Sequence, residues 1–121
     1  MNEESIPELK ARLLEINNRL YEIVIDLVDL TKEKNLDTMS IKSEGFTKEA
    51  LNLLKESLKL SAKLAIRDPE EGRKNFSNYN LSRNIIYDGL ALLRAYKTTK
   101  MSEDLLRVIA AGSGESKGNL N

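Results

Sequence analysis

The chain has no cysteine, no histidine and no tryptophan. Without cysteine there is no disulfide framework, and nothing in the composition argues for secretion. Without cysteine or histidine, structural zinc, iron–sulfur clusters, haem ligation by those residues and Cys- or Ser-His-based catalysis are excluded. Long apolar runs are also missing: charges interrupt every stretch well short of the roughly 20 residues of a membrane span. The opening Met-Asn-Glu-Glu carries neither a basic region nor an apolar run, so no secretory leader is expected. These absences predict a cytoplasmic protein with no cofactor and no membrane attachment.

What is present is helical rhythm and charge. Apolar residues make up 40% of 121 positions, enough for the modest core of one domain. Net charge is zero but unevenly spread. Residues 1–54 carry 7 basic and 11 acidic side chains, and residues 55–107 carry 11 basic and 7 acidic. Such a molecule can offer an anionic partner one side and a basic partner the other.

Residues 6–34 read as one long helix. Ser5, Pro7 and Glu8 form its start, with Ser5 as N-cap and Glu8 completing a capping box. Leu9, Leu13, Ile16, Leu20, Ile23, Leu27 and Leu30 then recur at spacings of four and three, the rhythm of a packed seam. A second row, Leu14, Tyr21, Val24, Ile25 and Val28, widens the apolar surface, so this helix needs more than one neighbour. The remaining strip is acidic: Glu8, Glu15, Glu22, Asp26, Asp29 and Glu33 fall within about 60° of one another.

Turn-forming residues in 35–45 predict a connection, pinned by Leu36, Met39 and Ile41. A second helix spans about 47–67, capped by Thr47. Its stripe is Leu51, Leu54, Leu58, Ala62 and Ala65, broadened by Leu53, Leu60 and Leu64, with Ser57 and Ser61 among the small residues that admit a close neighbour. Pro69 stops it at Asp68 and restarts a short turn. Residues 72–80 are polar and irregular, anchored by Phe76 and Tyr79. A third helix covers about 80–98 with Leu81, Ile85, Leu92 and Tyr96 inside, flanked by Ile86, Leu90 and Leu93, and with Gly89 at a close helix contact. Ser102 caps a short fourth helix that buries Leu105, Leu106, Val108 and Ile109 and stops at Gly112. The expected fold is all-α, an antiparallel bundle of four helices around a long N-terminal helix, with residues 1–111 as the domain and 112–121 as a flexible tail.

The most informative chemistry is a row of cations in the second helix. Lys55, Lys59, Lys63 and Arg67 recur at every fourth position, and Lys48 lies on the same side. Like charges at this spacing cost a helix roughly 0.2–0.5 kcal/mol per pair. The row reads as a solvated face, as a match to the acidic strip, or as a track for phosphates. Arg83, Tyr87 and Arg94 share the outer face of the third helix, bordered by Lys97. A tyrosine between arginines can stack an unpaired base or simply cover apolar surface. Glu22, Asp26, Asp29 and Glu33 can dock a basic protein partner, or hold a hard divalent cation.

The Asp26–Asp29 spacing resembles half of the metal arrangement in all-α nucleotide pyrophosphatases of the MazG and dimeric dUTPase group. The second acidic pair is missing, since Glu103 and Asp104 are adjacent. HEPN ribonucleases need a catalytic histidine that this chain lacks. In size, helical class and charge layout the chain resembles the small helical subunit of CRISPR interference complexes. That resemblance implies an antiviral-defence role, in which copies stack along a complex and contact nucleic-acid backbone. In outline the chain also resembles the small helical immunity proteins of bacteriocin producers. The leading expectation is a non-catalytic subunit that contacts nucleic-acid backbone without sequence preference inside a larger assembly, through Lys55, Lys59, Lys63, Arg67, Arg83, Tyr87, Arg94 and Lys97. The alternative is a protein-interaction module, immunity-like or adaptor, using Glu22, Asp26, Asp29 and Glu33. Self-association fits either.

Overall fold

Ser5 starts the fold as the expected N-cap. Its hydroxyl accepts from the Glu8 amide at 3.2 Å, and Pro7 occupies the first turn. The computed structural model describes residues 4–120. Those residues form three α-helices and no strand: α1 (Ile6–Asp29), α2 (Leu36–Arg67) and α3 (Pro69–Leu120), with a 3₁₀ turn at Leu30–Lys32 closing α1. The helices run up, down and up, so α2 is antiparallel to both neighbours and α1 is parallel to α3.

The all-α class matches expectation, but three long helices replace four shorter ones. Residues 36–45 and 72–80, expected as connections, and residues 99–101, expected between the third and fourth helices, are helical. Their polar side chains return hydrogen bonds to the helix instead of breaking it. Thr47, expected as a cap, lies mid-helix and donates to the Ser43 carbonyl at 2.6 Å. Asn75 donates to Glu71 O, and Thr98 and Thr99 donate to Arg94 O and Ala95 O. The cap of α2 is Asn35, whose side chain accepts from the Thr38 amide at 3.0 Å. Met39 is fully buried, and Leu36 and Phe46 pack on the core. Packing therefore overrides weak local propensity. Ile41 lies exposed rather than pinned. The helical backbone also continues past Gly112 to Leu120.

The α1 seam is buried as read, from Leu9 to Leu30. The second row differs. Leu14, Tyr21, Ile25 and Val28 are exposed, and only Val24 is half-buried against the core. In α2 the core residues are Ala50, Leu54, Leu60 and Leu64, whereas Leu51 and Leu58 lie at its edge. In α3 the expected faces are reversed. Ile86 and Leu93 are buried, while Leu81, Ile85, Leu92 and Tyr96 are outside, Leu92 at 71% exposure. Each helix carries more apolar width than two neighbours cover, and periodicity cannot say which row turns inward. The residues expected to bury a fourth helix, Leu105, Leu106, Val108 and Ile109, are each more than half exposed. They lie beyond the level where Lys100 Nζ donates to the Glu33 and Lys34 carbonyls at 3.0 and 2.9 Å, tying α3 to the end of α1.

Asp68 alone separates α2 from α3. Its carboxylate accepts from the Glu71 amide at 3.2 Å and its carbonyl from Gly72 N at 2.9 Å. So short a turn presses the two backbones together at Gly72 and Ala65. A Cβ on Gly72 would lie 2.7 Å from Ala65 N and closer still to its Cα and Cβ. Gly89, expected at a close helix contact, has room: a Cβ there meets only Leu27 Cδ1, at 3.8 Å. Gly72→Ala is expected to cost about 1–3 kcal/mol by overpacking. Gly89→Ala is expected to gain up to about 1 kcal/mol from helix propensity. Urea unfolding of both variants checks the pair, and equal effects would contradict this placement of the tight contact.

Candidate nucleic-acid interface

Antiparallel α2 and α3 leave a groove along their outer side. Lys48, Leu51, Lys55 and Leu58 line it from α2, and Tyr79, Arg83 and Tyr87 from α3. The floor is apolar and the rim cationic. The Arg83 guanidinium sits 5.9 Å from the Tyr79 ring centroid, within range of a cation–π contact. Tyr79 packs on the core while Tyr87 is half exposed. One hollow further along, Arg94 and Lys97 stand beside Ser43, Thr47, Leu90 and Leu93. Lys55, Arg83, Tyr87, Arg94 and Lys97 thus share one side of the molecule. Tyr79 and Lys48, which the site prediction left out, join them.

The rest of the cationic row leaves this groove. Every fourth residue of an α-helix advances by about 40°, so the row winds around α2 instead of running straight. Lys59 and Lys63 are exposed and line no part of the groove. Arg67 has turned to the α1 side, where it donates to the Glu4 carbonyl.

The acidic strip of α1 is not covered by this row. Arginines of α1 itself answer it. Arg12 holds Glu56 of α2 through Nε at 2.6 Å and Nη2 at 2.8 Å, and Glu15 through Nη1 at 3.0 Å. Arg19 repeats the pattern one heptad on, gripping Glu49 through Nε and Nη2, with Glu22 at 3.1 Å and Asp26 at 3.9 Å. Asp29 pairs with Lys32 at 3.7 Å, and the Glu33 carboxylate accepts from Asn35 N at 3.2 Å. Glu49 and Glu56 of α2 thus cross to α1 rather than offset the lysines of their own helix. The signal was available: Arg12 and Arg19 are seven apart, and so are Glu49 and Glu56, in the reverse order that antiparallel helices require.

Hydrogen bonding to Arg12 holds the Glu56 carboxyl below the usual carboxylate range, and Arg19 does the same for Glu49. Among the described residues, no cluster of three or more Asp or Glu side chains is placed to hold a metal ion, and no helix is long and apolar enough to cross a membrane. Among the described residues no second acidic pair therefore converges on Asp26 and Asp29. Compared with family models, curated proteins and solved structures, the chain matches none.

The ladder makes stability pH-dependent with a definite sign. A carboxylate whose pKa is lowered on folding contributes fully above its unfolded value, and that contribution is lost as pH falls through the lowered folded value. Unfolding followed across this acid range should show the loss in the parent chain and a shallower dependence in Arg12→Ala/Arg19→Ala. Double-mutant cycles on Arg12–Glu56 and Arg19–Glu49 should each give about 0.5–1 kcal/mol, the upper part of the range for solvent-exposed pairs, because both grips are bidentate.

Proposed function

We propose that this chain is a non-catalytic helical subunit of a larger assembly, and that it holds single-stranded nucleic acid by its backbone along the α2–α3 groove. The observation that carries the reading is the gathering of Lys48, Lys55 and Arg83 around Tyr79 and Tyr87 over an apolar floor. Cations hold phosphates without reading bases, and an exposed ring stacks any base because every base has a π-face. Arg94 and Lys97 extend the strand's path past the next hollow. Lys59 and Lys63 add long-range attraction, and Arg67 is engaged with the N-terminal backbone. The site holds neither nucleophile nor metal ligand set in this reading, and it retains the strand without changing it.

A protein-docking role is the second reading. The exposed apolar rows of α1 and α3 favour it, and it is compatible with the first because the two surfaces lie on different sides of α3.

Fluorescence anisotropy of labelled single-stranded RNA and DNA across a salt series tests the lead reading. Binding should weaken steeply with salt. Lys55→Glu/Arg83→Glu should abolish it, and Lys55→Ala should reduce the logarithmic salt slope by about 1. Tyr87→Ala should cost about 1–3 kcal/mol at every salt concentration, the range for one stacked base. Lys59→Glu/Lys63→Glu should weaken binding less than the groove pair does. Unchanged affinity in the groove variant, with its helical circular dichroism intact, would overturn the assignment.

A further inference from the structure

We propose that a second copy of this chain docks on the apolar face shared by α1 and α3, related by a two-fold axis parallel to the helices. The face is built from two exposed rows. In α1, Leu14, Tyr21, Ile25 and Val28 recur at heptad-like spacing, with Tyr21 at 69% exposure. In α3, Leu81, Ile85, Leu92 and Tyr96 run alongside. The two rows meet across a groove floored by Leu20, Val24 and Ile86. Scattered surface leucines need no explanation, but contiguous rows on adjacent parallel helices mark a contact surface.

Area points to a partner. The chain exposes 8560 Å². A compact monomer of 13.7 kDa is expected to expose about 6,600 Å². Much of the excess of about 2,000 Å² is the stretch of α3 that overhangs the bundle, but the eight exposed side chains of the two rows together match the roughly 800 Å² that a standard interface takes from each partner.

Charge selects the orientation. Glu15 and Glu22 border the α1 row on the side away from α3, and because Arg12 and Arg19 are each shared with a glutamate of α2 this border stays net acidic. A two-fold axis perpendicular to the helices would lay α1 on its counterpart and set two acidic borders side by side, which like-charge repulsion opposes. An axis parallel to the helices lays α1 on the partner's α3. There the outer border carries Arg73 with Glu70 and Asp88, and otherwise Ser77, Asn80 and Asn84, so fewer like charges meet than in the α1–α1 pairing. This pairing closes as a dimer and leaves both α2–α3 grooves open, because they lie on the opposite side of α3.

Sedimentation velocity of the full chain over a concentration series tests the pairing. The expected mass is about twice 13.7 kDa. Tyr21→Glu/Ile85→Glu should sediment as a monomer with undiminished helical circular dichroism. Because the chain has no native cysteine, orientation can be read cleanly. Asn18→Cys chains mixed with Leu81→Cys chains, treated with a thiol-specific cross-linker, should join as unlike pairs. A parent chain that stays monomeric at its highest soluble concentration would overturn the proposal. So would a charged variant that still dimerises, or cross-links confined to like pairs.

Discussion

Seven aliphatic side chains along one edge of α1 hold the molecule together. Leu9, Leu13, Ile16, Leu20, Ile23, Leu27 and Leu30 are all buried, and α2 and α3 close over them from either side. Burying each contributes about 1.5–3 kcal/mol before conformational entropy is set against it. The row of α2 at the same spacing, Ala50, Leu54, Ser57, Ser61 and Leu64, is buried with it but offers smaller side chains. The α2–α3 groove runs along the outer side of the contact between these two helices.

The second organising contact is polar. Arg12–Glu56 and Arg19–Glu49 rest on matching seven-residue spacings on helices that run in opposite directions. Apolar packing is non-directional and sets alignment less sharply than paired charges do. Sliding the arginine ladder would leave four charged groups without their bidentate partners. Its part in the fold is to select one alignment, and its direct stabilisation is modest because each partner remains about 35–43% exposed.

The sequence was legible where one signal dominated. The α1 seam, the Ser5 cap and the Pro69 junction could be read because periodicity, capping chemistry and proline geometry each have one local solution. The ends of α2 and α3 were not legible, because Ser43, Thr47, Asn75 and Thr98 are turn formers by propensity and become helix residues only when buried neighbours hold the backbone. The inward face of α3 was hidden for another reason. Leu81, Ile85 and Leu92 compete with Ile86 and Leu93, and the choice depends on the close approach forced by Gly72, a contact between segments that no local window contains. The groove residues were half legible: cations and Tyr87 stand out by type. Their convergence depends on α2 reversing into α3 at Asp68, and that same geometry carries Lys59, Lys63 and Arg67 away.

The overhang of α3 can be viewed in terms of helix nucleation. An isolated segment as short as residues 101–112 would not form a stable helix in water, because fixing the first turn is unfavourable and few further turns follow to offset it. Here the first turn already exists. Lys100 fastens α3 to the Glu33 and Lys34 carbonyls, so every later residue only extends a helix the bundle has started. The bundle is thus a template from which the overhanging segment inherits its conformation.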